Sequence, residues 1–325
     1  MELLYLSRKD VEGLGLSMKE VLEVVDQGFR LKGLGKTEMP PKPGIHTRPN
    51  SFIHAMPAYV KEVESAGIKW VSGYPSNLEK GLPYITGLLI LNDTETGVPI
   101  AVMDSAWITA MRTGASVGVA ARYLARQRSS VVGILGCGVQ ARSSLRALVE
   151  ALPDLSHVHC YDLYPEAGKR YIDEMNRLFP SLKMKICSRA TEMIEGADVV
   201  VTAIPMVAKR NPSLDAGILK NGGLAVSLDY DSAWTDSAIR ECDKFITDDI
   251  NQLLYTKKEG IYFSGIPETI YADLGDLAAG LKPGRQTDTE RIFCMNMGIA
   301  INDMVTAKLI YQRAVEKGAG TRLPL

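Results

Sequence analysis

The segment Val131–Arg142, VVGILGCGVQAR, decides the fold. An apolar run of strand length, VVGIL, leads directly into G-C-G-V-Q-A, where Gly136, Gly138 and Ala141 occupy three positions reserved for small residues. In such a strand, turn and helix the first glycine makes the tight turn and the second lets backbone approach a diphosphate. The third small residue lets the helix pack closely on the strand. The amino terminus of the helix, at Val139 and Gln140, then favours the anion. The next strand-like run, HVHCYD, ends in Asp162, 26 residues past Gly136, near the spacing expected of an acid that binds a ribose diol. A carboxylate there repels a 2′-phosphate, and Leu163, Tyr164 and Pro165 supply no arginine to hold one, so NAD is favoured over NADP. A helix cap for PEAGKRY is the other reading of Asp162.

Downstream, strands and helices alternate: LKMKICS, a short helix, ADVVVTAIP, GGLAVSLD, a helix, and KFITDD. This alternation predicts a doubly wound, mostly parallel Rossmann sheet. Upstream, SMKEVLEVVDQGFRLKGLG places Val21, Leu22, Val25, Phe29 and Leu31 on one helical face, with Ser7 and Ser17 as candidate caps and MPPKPG as the stop. The runs SFIHAMPAYV, GIKWVSGYP, ITGLLILND and GVPIAVMD then read as a hairpin-built sheet, and a long helix follows from about Trp107. The segment from Arg291 to Gly318 reads as a helix returning to the first domain. The expected division is an α+β domain of residues 1–112 with 295–325, and a Rossmann domain of residues 113–294.

Composition narrows the function. The chain has 325 residues, 46% apolar and 23% charged, enough for a large core. Its 37 basic and 38 acidic residues give a net charge of -1 with no basic block, which argues against nucleic acid and against a polybasic membrane anchor. The amino terminus, with Glu2 and Asp10, does not read as a targeting peptide, and no segment reaches the roughly 20 apolar residues of a membrane span. A soluble cytoplasmic protein with buried thiols is expected from five scattered cysteines, and four histidines without ligand spacing offer no metal site.

Four charged positions outside the glycine motif stand out. Lys69 lies in an apolar strand-like run, where a charge is costly unless paired or wet. Arg112 opens the run MRTGASVG, beside small residues that would let a ligand come close, Lys42 lies in MPPKPG, and Asp229 ends AVSLD at the carboxyl edge of the expected parallel sheet. Each taken singly also reads as a surface charge or a local salt bridge.

Together, the stretches MPPKPGIHTRPNSFIHAMPAY, GIKWVSGYPSN, GLPYITGLLILNDTETGVPIAVMD, TAMRTGASVGVAARYLA, GILGCGVQAR, ADVVVTAIP, DLGDLAAGLKPGR and MGIAINDM resemble the ornithine cyclodeaminase and mu-crystallin family over nearly the whole chain. The resemblance implies an NAD(P)-dependent homodimer with a substrate-binding and dimerisation domain, a Rossmann domain and a returning carboxyl-terminal helix. It implies that Lys42, Lys69 and Arg112 hold the carboxylate of a small amino or imino acid, and that Asp229 is the catalytic carboxylate, with Lys69 as a further proton carrier. Thr113, Val139, Gln140 and Thr202 are the implied cofactor contacts beside the glycines and Asp162. The implied reaction is hydride transfer at Cα, most nameably the ornithine cyclodeaminase reaction. An amino-acid dehydrogenase, an imine reductase and a non-catalytic binding protein are the alternatives.

Two departures bear on substrate. Where the ornithine enzyme carries an acid for the distal amine, just before its MP motif, this chain has His54, a weaker partner for an ammonium. After Asp229 it reads Tyr230, Asp231, Ser232, Ala233 and Trp234 in place of P-G-K. Asp231 is a candidate substitute for the missing acid, with a turn or capping role as the alternative, and Trp234 reads first as a packing residue.

Overall fold

The computed structural model describes residues 1–206, 210–260, 262–263 and 265–325. They form two units: Met1–Arg112 with Ile299–Leu325, and Thr113–Gly298.

The first unit begins with β1 (Glu2–Leu6) and helices α1 (Arg8–Gly13) and α2 (Met18–Gly33). Ser7 and Ser17 each close a capping box, with Asp10 and Glu20 respectively, satisfying amides that the first helical turn cannot pair internally. The five apolar residues predicted on one face of α2 are all buried. This helix ends before MPPKPG is reached; Leu34 caps it and Gly35, at φ 66°, turns the chain away. Next come β2 (Thr37–Glu38), β3 (Gly44–Ile45), β4 (Phe52–Val60), β5 (Ser65–Gly73), β6 (Ile85–Asn92) and β7 (Pro99–Asp104). The run from β4 to β7 is an antiparallel meander, as the alternation predicts. Pairing of β1 alongside β7 is parallel and was not anticipated.

Helix α3 (Ala106–Leu124) contains the division between the units, and Arg112 lies inside it, as the long helix expected from about Trp107 implies. The second unit continues through β8 (Val131–Leu135), α4 (Val139–Ala151), β9 (His157–Tyr161), α5 (Pro165–Leu178), β10 (Lys183–Ile186), α6 (Ala190–Ile194) and β11 (Val199–Thr202). After these come β12 (Leu224–Ser227), α7 (Asp236–Arg240), β13 (Lys244–Thr247), α8 (Ile250–Lys258), β14 (Ala272–Asp273), α9 (Leu274–Ala278) and β15 (Ile292–Met295). Their eight strands are all parallel, in the order β10-β9-β8-β11-β12-β15-β13-β14. Buried on both faces, β11, β12 and β15 are continuous apolar or small-residue runs, and β13 departs from this only at its first residue, Lys244. The run IFCM was expected to begin the last helix. It is instead the strand between β12 and β13, because a short apolar run carries no period that separates helix from buried strand.

The chain then returns to the first unit as α10 (Ala300–Lys317) and β16 (Thr321–Pro324), the latter pairing antiparallel with β1. Helix α10 lies over β4, β5 and β6 and against α2. Gly28 of α2 permits that approach, since a Cβ there would stand 3.3 Å from Ile301. Among the described residues, no helix is long and apolar enough to cross a membrane.

Candidate functional site

In the first unit the chemistry gathers on the buried face of the meander. Met56 of β4 pairs directly with Lys69 of β5, and His54 with Val71, so His54, Met56, Lys69 and Val71 share that face. Lys69 is completely buried. Its Nζ donates to Asp303 Oδ1 of α10 at 2.7 Å and lies 3.4 Å from Thr109 Oγ1 of α3. One helical turn beyond Thr109 on the same face, the Arg112 Nε donates to the same Asp303 oxygen at 2.9 Å. Two buried cations thus share one carboxylate oxygen, while Asp303 Oδ2 is buried with no hydrogen-bond partner among the described residues. Burial lowers the Lys69 ammonium to about 7, with the Arg112 field adding to the effect and Asp303 opposing it. Lys42, on the loop between β2 and β3, adds a weaker push in the same direction.

His54 is stacked on Phe52, with ring centroids 4.4 Å apart. Burial first, then the fields of Lys42, His46 and Lys69, hold its imidazole down to about 3, so it is neutral throughout the physiological range.

In the second unit the predicted residues collect at the carboxyl ends of the strands. The sheet order reverses between β8 and β11, the topological switch point where open α/β sheets bind ligands. Gly136, just after β8, has φ 86°, and a Cβ there would stand 2.6 Å from the Ala203 carbonyl after β11. Glycine is therefore required both by conformation and by the neighbouring backbone. Gly138 is the N-cap of α4 without a side-chain cap, and nothing lies within 4 Å of the place its Cβ would take. Val139 is exposed and Gln140 half-buried on the same first turn. An open, uncapped helix start beyond a glycine turn fits a diphosphate.

Asp162 braces this loop: Oδ2 accepts the Cys137 N–H at 2.7 Å and Oδ1 accepts the Tyr164 N–H at 2.9 Å. The cap of α5 is Tyr164, so Asp162 makes a turn before the helix and does not cap it. Arg142 was missed as a participant. Its guanidinium donates to the Cys137 and Gly138 carbonyls and to Glu174, fixing the loop from the other side. The small residues after Arg112 also take a different reading. A Cβ on Gly114 would stand 2.4 Å from Ser143 backbone atoms, so this glycine admits α4 against α3 rather than a ligand. Thr113 beside it is half-buried.

Asp229 follows β12 and is 1% exposed. Oδ1 accepts from the Thr202 hydroxyl at 2.8 Å and from the Ser227 hydroxyl at 2.9 Å, and Oδ2 accepts from the Ile204 N–H at 3.0 Å. The single Ser227 proton is shared between Asp229 and the Tyr230 carbonyl. Burial raises the carboxyl to about 6 against these three donors, which favour the ionised form. Thr202 is itself fully buried and in turn accepts from Trp234 Nε1 at 3.3 Å, so its hydroxyl positions Asp229. Trp234 packs edge-on against Phe293 in the core, as its packing reading holds. The Asp231 carboxylate is engaged by Arg210 at 2.8 Å and by the Phe263 N–H at 2.9 Å. Its charge is therefore countered within the loop.

The ornithine cyclodeaminase/mu-crystallin family model matches residues 1–318. An alanine dehydrogenase of Archaeoglobus fulgidus is 36% identical, covering 99% of this chain and 98% of its own. Among solved structures, Thermococcus litoralis Δ1-pyrroline-2-carboxylate reductase in complex with NADH and L-proline superposes with a TM-score of 0.88, at 36% identity, covering 98% of this chain and 99% of its own. An archaeal alanine dehydrogenase dimer with bound NAD gives 0.89, at 34% identity over the whole of both chains.

Proposed function

The chain belongs to the ornithine cyclodeaminase/mu-crystallin family, and from that premise we propose that it is an NAD-dependent enzyme transferring hydride at Cα of a small amino or imino acid. The observation that carries this reading is the pair of buried cations, Lys69 and Arg112, set on one oxygen of Asp303. A substrate carboxylate that reaches these two buried cations gains charge-assisted hydrogen bonds on an apolar face. The nicotinamide, when bound, supplies or accepts the hydride. Lys69 and Arg112 hold the substrate carboxylate and so fix the orientation of Cα. Asp229 takes a proton from the substrate amine or from water in one direction and returns it in the other.

His54 favours a dehydrogenase or imine reductase over an ornithine cyclodeaminase. A neutral imidazole beside the fields of Lys42 and Lys69 gives a distal ammonium no counter-charge, whereas a short apolar side chain loses nothing there. Substrates of the size of alanine or proline, with pyruvate and pyrroline-2-carboxylate as their oxidised forms, fit best. The test is absorbance at 340 nm with NADH and a panel of 2-oxo acids with ammonia, and of cyclic imines, beside an ammonia assay with ornithine. NADH oxidation with pyruvate or with the imine is expected. Ammonia release from ornithine without net redox change would make the protein a cyclodeaminase, and silence in every arm would make it a binding protein.

Asp162 gives the cofactor preference its own test. Asp162→Ala removes the carboxylate that meets a ribose diol and also releases the Cys137 amide, so the Kd for NADH rises about tenfold or more, the size of a lost charged hydrogen bond. Discrimination against NADPH falls at the same time; an unchanged NADH to NADPH ratio would remove Asp162 from cofactor choice.

The same reading includes a homodimer. On the sheet face opposite Lys69, Trp70 and Leu88 form a direct cross-strand pair, and each is 48% exposed. Large apolar side chains paired on an open sheet face are a surface that a second copy covers. Trp70→Glu places a charge at its centre, and sedimentation is expected to shift from dimer to monomer. A wild-type monomer at micromolar concentration would end this part of the reading.

A further inference from the structure

Asp303 touches both clamp cations, and the sequence reading gave it no role although it lies within the stretch MGIAINDM. It sits on α10, one turn into the helix, between Asn302 and Met304, all three buried. Its partners arrive from two other elements: Lys69 from the middle of β5 and Arg112 from α3. Both meet Oδ1, while Oδ2 has no partner among the described residues. A carboxylate serving only to neutralise an arginine is best placed as a two-oxygen fork. Here the geometry is different: one oxygen is the common anchor of two side chains of unequal length, which fixes the separation and direction of their charges.

We propose that Asp303 is the positioning residue of the carboxylate clamp, holding Lys69 and Arg112 on one oxygen so that a substrate carboxylate meets two prearranged cations. This rests on the reading of Lys69 and Arg112 as the clamp. It extends that reading to a residue whose role is exerted through them, and it ties α10 to substrate affinity. Besides Asp303, Arg112 and Lys42 act on Lys69, both positive; the neighbouring His54 is neutral, and Thr109 offers a hydroxyl. Asp303 is therefore what keeps Lys69 in its charged form against burial, and the sign of the pH dependence follows. Lys69 holds substrate while protonated, so kcat/KM for the carboxylate substrate falls as pH rises through about 7. Without Asp303 the proton is lost earlier, and the fall moves to lower pH.

The experiment compares wild type with Asp303→Asn and Asp303→Glu, using pyruvate with ammonia, or pyrroline-2-carboxylate, and NADH. In Asp303→Asn the alkaline fall of kcat/KM is expected about one pH unit or more lower, the effect of removing a close opposite charge. KM is expected to rise about tenfold or more, with the Kd for NADH unchanged. A carboxylate that merely supports the packing of α10 would lower Tm and leave the position of the fall where it was, and that result overturns the proposal. Asp303→Glu keeps the charge but displaces the anchor, so its fall stays near the wild-type position while KM rises; an unchanged KM there also overturns it, whether or not Asp303→Asn folds. If wild type turns over none of these substrates, the proposed function fails and not this inference. In that case Kd for the 2-oxo acid in the presence of NADH, followed by NADH fluorescence against pH, reads the same displacement.

Discussion

Asp229→Asn is expected to lower kcat by about 10²–10⁴-fold, the usual worth of a placed general acid or base, with the Kd for NADH unchanged. The carboxylate is held by Thr202, Ser227 and the Ile204 N–H, so the amide enters the same position with nearly the same shape. What it loses is the capacity to take up and release a proton. It also leaves one mismatch, because the amide nitrogen cannot accept from Ile204 while its oxygen serves the two hydroxyls. That cost is offset by removal of a buried charge. The folded carboxyl lies near 6, above its unfolded value, so its contribution to stability is present at low pH and lost as pH rises through 6. At pH 8 the ionised form is a burden on the fold, and Tm of the variant is expected to stay near wild type. In the oxidative direction, where Asp229 is the base, wild-type kcat/KM is expected to fall below about pH 6 as it is protonated. A variant retaining more than about a tenth of wild-type kcat, far above the expected range, would show that Asp229 is not the proton carrier.

The candidate residues of the two units differ in how far the sequence discloses them. Gly136 and Gly138 are legible because their requirement is local: a positive φ and an open helix start are demanded within a few residues of a recognisable apolar strand. Asp229 is legible for a related reason, as an acid directly after a buried strand must lie at the edge where parallel sheets bind ligands. Asp303 is not, because its meaning depends on Lys69, 234 residues away. Its signals were its place in the stretch MGIAINDM and an acid within an apolar helical stretch, AINDMVTAKLI, where burial without a partner would be costly. Thr202 is a cofactor contact by resemblance alone; the structure shows its hydroxyl turned to Asp229. In the fold, the meander and the alternating strands followed from their periods. The parallel pairing of β1 with β7 and the insertion of β15 between β12 and β13 did not, since neither is encoded by neighbours in sequence.

Arg112→Lys carries the other large effect, and it separates charge from geometry. The substitution keeps one positive charge at a position 5% exposed, so a clamp that needed only net charge would hardly change. Arginine, however, presents several donors in a rigid plane, which lets Nε remain on Asp303 while the outer edge meets a carboxylate. A lysine has one ammonium on a flexible stem, and at this position it must choose between Asp303 and substrate. KM for the 2-oxo or imino acid is therefore expected to rise about 10- to 100-fold, the worth of a bidentate charged contact, with kcat reduced much less. The split matters, because a rise in KM at nearly constant kcat means that binding common to ground and transition states was lost, as a carboxylate clamp requires. A fall in kcat of the same size with KM unchanged would instead place Arg112 at the reacting centre. An unchanged KM would leave Lys69 to hold the carboxylate without it, and the paired-cation reading would have to give way to a single buried lysine.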